Sequence, residues 1–217
     1  MLLNQYVKGQ FSMQYIYTAG VDFEAKELNV DGINIKLQFW DTEGFAKYNS
    51  IWASYCRNSD CCVLVFDLTD PKSFESIEIR RNEFLKALNP KDPDTFPFVL
   101  IGNKCDIVLE RRVQQKKIDE YCATKRNMPY FEVSAKNNKN IDTAFYEVAR
   151  LIFTPNRAEL KATNQQTSKS NFKVDKVEEI FIPNRFELIC ANSKNLGKKE
   201  KESQKLKNAI KQLDDDK

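Results

Sequence analysis

The sequence predicts an α/β domain, a mostly parallel sheet with helices on both faces. Short apolar strands alternate with helical periods from residue 61 onward, the order that gives parallel strands joined by crossover helices. Within that alternation, Cys61-Cys62-Val63-Leu64-Val65-Phe66 is almost continuously apolar, as a strand buried on both faces must be. Polar motifs then follow directly on three strands, at the end of the sheet where such folds bind ligands.

The elements follow in chain order. Met1–Gln10 reads as part of an amphipathic helix, with Leu2, Leu3, Tyr6 and Val7 apolar and no polar cap ahead of them. Strands are predicted over Asp22–Val30 and Ile33–Trp40. Between them Asp31-Gly32 is the two-residue signal of a hairpin. After the buried strand at 61–66, Ser73–Leu88 has a helical period, carrying Ile77, Phe84, Leu85 and Leu88 on one face. Phe98–Ile101 is a strand, Val113–Lys125 a helix and Tyr130–Val133 a short strand. The clearest helix is Ile141–Phe153, where Ile141, Ala144, Phe145, Val148, Leu151 and Ile152 recur at helical spacing behind Asn140 as N-cap.

Composition changes after Thr154. Residues 154–217 carry 14 lysines and arginines against 10 acidic residues, so the excess positive charge of the chain lies there. Ala162–Ser170 is polar and aperiodic and reads as linker. Lys198–Leu213 is at best a weakly amphipathic, lysine-rich helix, and the tail as a whole is expected to be largely disordered. An imperfect repeat stands out: Ile152-Phe-Thr-Pro-Asn-Arg-Ala-Glu-Leu160 against Ile180-Phe-Ile-Pro-Asn-Arg-Phe-Glu-Leu188. Two copies are too few for a solenoid, which leaves a docking segment or a local duplication.

Several function classes drop out. The formal net charge of +3 gives no global basic field for nucleic acid. With no histidine there is no imidazole base, no Ser-His-Asp triad and little scope for zinc. The six cysteines form no C-x-x-C pair, and Cys61 and Cys62, adjacent in a strand, point to opposite faces; reduced core thiols are expected. No apolar run approaches the roughly 20 residues of a membrane span.

The motifs carry the chemistry. Asp41, at the end of its strand, suits a water-mediated magnesium ion. Gly44 lets the backbone approach a phosphate oxygen. Read alone, Asp41-x-x-Gly44 is an ordinary turn. In Asn103-Lys104-Cys105-Asp106 the carboxylate of Asp106 can accept from a guanine ring N–H and exocyclic amine together, a donor pair adenine lacks. The Lys104 stem can cover the base, and Asn103 can tie neighbouring loops. The backbone N–H of Ala135, in Ser134-Ala135-Lys136, can meet the base carbonyl. Three such motifs in this order, each after a strand, weigh far more than any one.

These residues, with Tyr17–Phe23, Lys36–Gly44 and Leu64–Thr69, make the chain similar to the small GTPases of the Ras superfamily, Rab family. Asp60–Asp67, Asn82–Lys104 and Pro129–Glu132 resemble most the late-endosomal and lysosomal Rabs. The similarity covers roughly residues 2–153 and fails in the tail. It implies a small-GTPase domain of P-loop NTPase type over 1–153 and a lysine-rich tail over 154–217. It also implies GTP or GDP with magnesium as cofactors. Thr18 and Asp41 would serve the metal. Thr18, Asp41, Gly44, Asn103, Lys104, Asp106, Ser134, Ala135 and Lys136 would line the nucleotide site. Effectors and regulators would bind the switch regions on the cytosolic face of late endosomes or lysosomes.

The chain departs from that pattern in three ways. It contains no Gly-x-x-x-x-Gly-Lys-Ser/Thr phosphate loop. In the family the strand before that loop is central, so its loss is expected to leave two half-sheets with exposed inner edges. The expectation is an N-terminally truncated form of a GTPase, with a nucleotide-free, protein-binding pseudo-GTPase as the alternative. Phe45 stands where the resemblance puts a water-orienting glutamine, which implies slow hydrolysis. Finally, the sequence closes on Asp214-Asp215-Asp216-Lys217 rather than prenylatable cysteines, so membrane association is expected to be indirect.

Overall fold

The computed structural model describes residues 2–14, 21–42, 56, 59–164, 176–183 and 188–189. Helix α1 (Leu2–Lys8) leads to the hairpin of β1 (Val21–Val30) and β2 (Ile33–Thr42). Its two turn residues take positive φ, 51° at Asp31 and 85° at Gly32, matching the right-handed twist of the strands. The pairing runs in full register from Val30↔Ile33 to Val21↔Thr42.

The alternating half follows: β3 (Cys62–Asp67), α2 (Pro71–Glu75), α3 (Ile77–Leu88), β4 (Phe98–Asn103), α4 (Gln115–Thr124), β5 (Tyr130–Glu132) and α5 (Ile141–Asn164). The helix expected from Ser73 starts earlier and is divided at Ser76. Asp70 caps its first turn by accepting the Lys72 amide at 3.0 Å, and Pro71 sits where its missing N–H costs nothing. Asn89 closes α3 in the left-handed conformation, its amide bonding the Leu85 carbonyl at 2.8 Å. Val113, expected in a helix, is instead a buried anchor ahead of α4, its amide donating to the Leu68 carbonyl at 3.1 Å. Asn140 precedes α5 as expected, but its side-chain amide donates to the Glu132 carbonyl and fastens the helix to β5.

Side chains alternate across the sheet into two cores. Cys61, Val63 and Val65 join Ile35, Leu37, Phe39 and Val99 on the face covered by α1 and α5. Tyr6 of α1 stacks on Phe145 of α5 with ring centroids 4.1 Å apart and meets Phe39 edge-on. Cys62, Leu64 and Phe66 face the other way, against Ile77 and Phe84 of α3 and Ile118 and Cys122 of α4. Each fully buried Phe or Leu among them contributes roughly 1.5–3 kcal/mol. The opposite facing of Cys61 and Cys62 is as expected, and Cys56, Cys61, Cys62, Cys105 and Cys122 are reduced.

Two expected boundaries are corrected beyond residue 153. Helix α5 runs past Phe153 to Asn164, through Pro155, and is longer than the 141–153 expected. Further on, β6 (Lys176–Pro183) and β7 (Leu188–Ile189) are strands. The sheet order is β1-β2-β6-β3-β4-β5, with β7 paired to β3. The two expected half-sheets are therefore one sheet. β6 lies between β2 and β3, parallel to β2 from Ile35↔Lys176 to Thr42↔Pro183, and touches β3 at Cys62↔Phe181. The expected helix over 198–213 lies outside the described residues.

Candidate functional site

The carboxyl ends of the strands place four polar groups along one rim. Asp41 is the penultimate residue of β2, Asp67 closes β3, Asn103 closes β4, and Ser134 follows β5. Parallel pairing sets their levels: Asp67 lies opposite Asn103, and Gly102 opposite Glu132.

The loops after β4 and β5 are bound to each other. Asn103 Oδ1 accepts the Lys104 amide at 2.8 Å and the Ala135 amide at 3.1 Å. The Ser134 hydroxyl, fully buried, donates to Asp106 Oδ1 at 2.6 Å and accepts the Asn137 amide at 3.0 Å. Backbone bonds from Val133 to Gly102 and from Cys105 to Val133 complete the seam. Lys104 turns the chain at φ 68°, a left-handed conformation that costs a non-glycine residue energy and persists because both neighbours are tied down.

Lys104 Nζ meets Asp67 Oδ2 at 2.6 Å. Asp67 Oδ1 in turn accepts the amide and hydroxyl of Thr69, at 2.8 and 2.7 Å. Burial pushes the Asp67 carboxyl up, but the Lys104 ammonium and the Thr69 donors outweigh it and hold the group below its ordinary range. Asp67 and Thr69 belong to this cluster, although the stretch Leu64–Thr69 entered the sequence analysis only as a resemblance, with no site role. The available signal was position: Asp67 is the polar residue at the carboxyl end of the most apolar strand.

Glycine at 102 is required by close approach. A Cβ there would lie 2.8 Å from the Tyr130 hydroxyl and 3.1 Å from the Leu68 side chain. That hydroxyl cannot swing freely, since it donates to Glu132 at 2.8 Å, and Arg111 holds the same carboxylate through both terminal nitrogens. Gly102 thus lets β4 and β5 come together beneath the two motif loops.

Of the expected site residues, the fold brings Asn103, Lys104, Asp106, Ser134 and Ala135 into one cluster, with the exposed Lys136 beside it. The Ala135 amide, expected to meet a base carbonyl, is engaged by Asn103, so a base would share or displace that bond. Asp106 Oδ2 has no hydrogen-bond partner among the described residues, leaving an acceptor oxygen on a carboxylate whose other oxygen is anchored. Asp41 is 7% exposed and stands apart from this cluster, with β6 and β3 between it and β4. Thr18, Gly44 and Phe45 lie outside the described residues. No group of three or more Cys, Asp or Glu able to hold a metal gathers among the described residues, and no helix there is long and apolar enough to cross a membrane.

Comparison with known proteins agrees with the geometry. The Ras-family model matches residues 1–154. Ras-related protein Rab-7a of Paramecium octaurelia is 42% identical over 193 residues, covering 89% of this chain and 84% of that protein. Ras-related protein Rab7 of Glycine max is 48% identical over 151 residues, 69% of this chain and 73% of that protein. GTP-binding protein yptV5 of Volvox carteri is 38% identical over 188 residues, 86% of this chain and 82% of that protein. The seam between the loops at 103–106 and 134–137 falls inside the matched region, and the tail strand at the centre of the sheet falls beyond it. The chain belongs to the Ras family, as a small GTPase of the Rab type close to Rab7.

Proposed function

We propose that the protein is a guanine-nucleotide switch of endosomal and lysosomal traffic. The observation that carries this is the Asp106–Ser134 bond beside the Asn103–Ala135 bond. Together they fix a carboxylate with one oxygen left to accept from guanine, and they fasten the two loops that would flank the base. Adenine, lacking the ring donor beside an amine, would leave that oxygen unpaired in a desolvated site, which costs more than the bond itself contributes. Lys104, whose ammonium rests on Asp67, is steered to lie along the pocket with its stem available to the ring.

Asp41 is the described carboxylate suited to a magnesium ion: hard, anionic, and at the mouth of the strands. The ion would neutralise phosphate charge when nucleotide is present. Thr18 and Gly44 complete the sensing of a terminal phosphate, and ordering of their segments is the signal read by effectors and regulators. Phe45 offers no group to orient an attacking water, so turnover is slow. The names of the relatives, Ras-related and GTP-binding, favour the switch over the pseudo-GTPase.

The test is nucleotide titration of the 217-residue chain beside a version extended upstream by a phosphate loop, using fluorescent GDP, GTP and ATP. Guanine-selective binding that falls at least tenfold in Asp106→Ala is expected for the extended form. Equal affinity for GTP and ATP, or no binding by either form, overturns the proposal.

A further inference from the structure

We propose that a cavity at the pole opposite the motif loops binds a small monocarboxylate with an apolar body. The cavity has a volume of about 440 Å³, within the range of small-molecule sites. It lies where β4 and β5 begin, between Arg81 of α3, the segment 94–97 and the turn that joins α4 to β5. The same two strands lead to Asn103 and Ser134 at their other ends, so this cavity is separate from the seam of the two loops.

Its apolar wall is held in place by packing. Phe98 and Met128 are each 6% exposed, and Phe98 meets both Phe84 and Phe96 edge-on, with ring centroids 5.7 and 5.4 Å away. Leu151 of α5 also lines the cavity. The rim is tied down as well. Arg126 and Asn127 follow one another in the left-handed conformation, at φ 57° and 55°, which costs a non-glycine residue energy. The Lys125 and Met128 amides hold this turn by donating to the Cys122 carbonyl at 3.0 and 3.2 Å. Arg126 Nη1 donates to the Asp94 carbonyl at 3.3 Å and so joins the two loops that line the cavity.

Charge selects the ligand. The charged side chains of the lining are Arg81, Lys125, Arg126 and Asp94. Lys125 is matched by Glu78 at 2.7 Å, and Asp94 offsets one of the two arginines. Glu78 feels the charge of Arg81, but its oxygens are bonded to Lys125 and Tyr121. The Arg81 guanidinium lies over the Phe98 ring, 4.9 Å from its centroid, and its buried Nε has no hydrogen-bond partner among the described residues. One positive charge is therefore left over, on a planar group whose N–H fork matches a carboxylate. Asp94 repels a phosphate dianion more than a monoanion. A carboxylate on Arg81 brings its hydrocarbon body against Phe98 and Met128, where burial favours it.

Amide-proton NMR of the full chain, titrated with phenylbutyrate, tests this. The amides of Phe96, Phe98 and 125–128 are expected to shift, while those of 103–106 and 134–137 stay in place. Phenylbutyramide, the same body without the charge, is expected to bind at least about tenfold more weakly, and so is inorganic phosphate. Arg81→Met keeps an apolar stem over Phe98 and is expected to lose the same factor. Equal affinity for acid and amide overturns the proposal, and that comparison needs no variant. Phosphate bound as tightly as the acid, unchanged affinity in Arg81→Met, shifts confined to the motif loops, or no shift at about 10 mM acid would each overturn it too.

Discussion

Replacing Ser134 by alanine tests whether the two motif loops act as a unit. The hydroxyl donates 2.6 Å to a carboxylate oxygen from a fully buried position, the kind of charge-assisted bond that contributes about 1.5–3 kcal/mol. The Asn137 amide also loses its acceptor, but Asn137 is exposed and water replaces it at little cost. Ser134→Ala is thus expected to destabilise the chain by about 1.5–3 kcal/mol, a fall in Tm of about 3–12 °C for a protein of this size. Asp106→Ala removes the same bond from the other side and leaves the hydroxyl buried without its acceptor, a cost of about 1–3 kcal/mol for that group. If the bond is what couples the loops, the double variant loses less than the two single variants together, by about 1.5–3 kcal/mol. Urea denaturation with an unchanged m-value measures each corner of the cycle. Additivity to within about 0.5 kcal/mol would refute the coupling, and with it the claim that Ser134 positions the base-reading carboxylate.

Two further outcomes follow from the same rim. Gly102→Ala puts a methyl 2.8 Å from a hydroxyl already held by Glu132 and 3.1 Å from Leu68, so a loss of about 1–3 kcal/mol is expected in urea unfolding; a loss under about 0.5 kcal/mol would mean that the Tyr130 ring yields. Asp67 has its folded pKa held below the unfolded value near 3.9, so its contribution is complete above about pH 4 and lost as pH falls through the folded value. Asp67→Asn should lower stability at pH 7 and flatten that acid-side slope. A difference between variant and parent that is constant from pH 7 to pH 2 would contradict it.

Much of the fold was legible because its signals are local. The period-2 strands, the Asp31-Gly32 turn and the helical spacing of 141–153 each need only a few neighbouring residues to be read, and each appears where expected. The misreadings are also local in cause. The apolar period behind the Asp70-Pro71 cap masks it, and the apolar Val113 extends a helical pattern although it is buried ahead of the helix, with its amide on the Leu68 carbonyl. In the site, the motif residues are readable as types and order, whereas the role of Asp67 shows only once β3 and β4 are paired, since its partner Lys104 is far away in sequence; Thr69 enters the cluster through its own bonds to Asp67.

The repeat draws the boundary most sharply. The amino-acid sequence by itself determined an alternating α/β chain with polar motifs at the strand ends, because periodicity and turn chemistry act within a few residues. It also set out two near-copies of one nine-residue pattern, and it could not say that the first would be helical while the second opens as strand over 180–183. Ile152 and Phe153 turn inward from α5 onto a core that their own helix helps build. Residues 180–183 are strand through their pairing with β2 and, at Phe181, with β3. A strand is defined by partners distant in the chain, and those partners exist only in the tertiary structure.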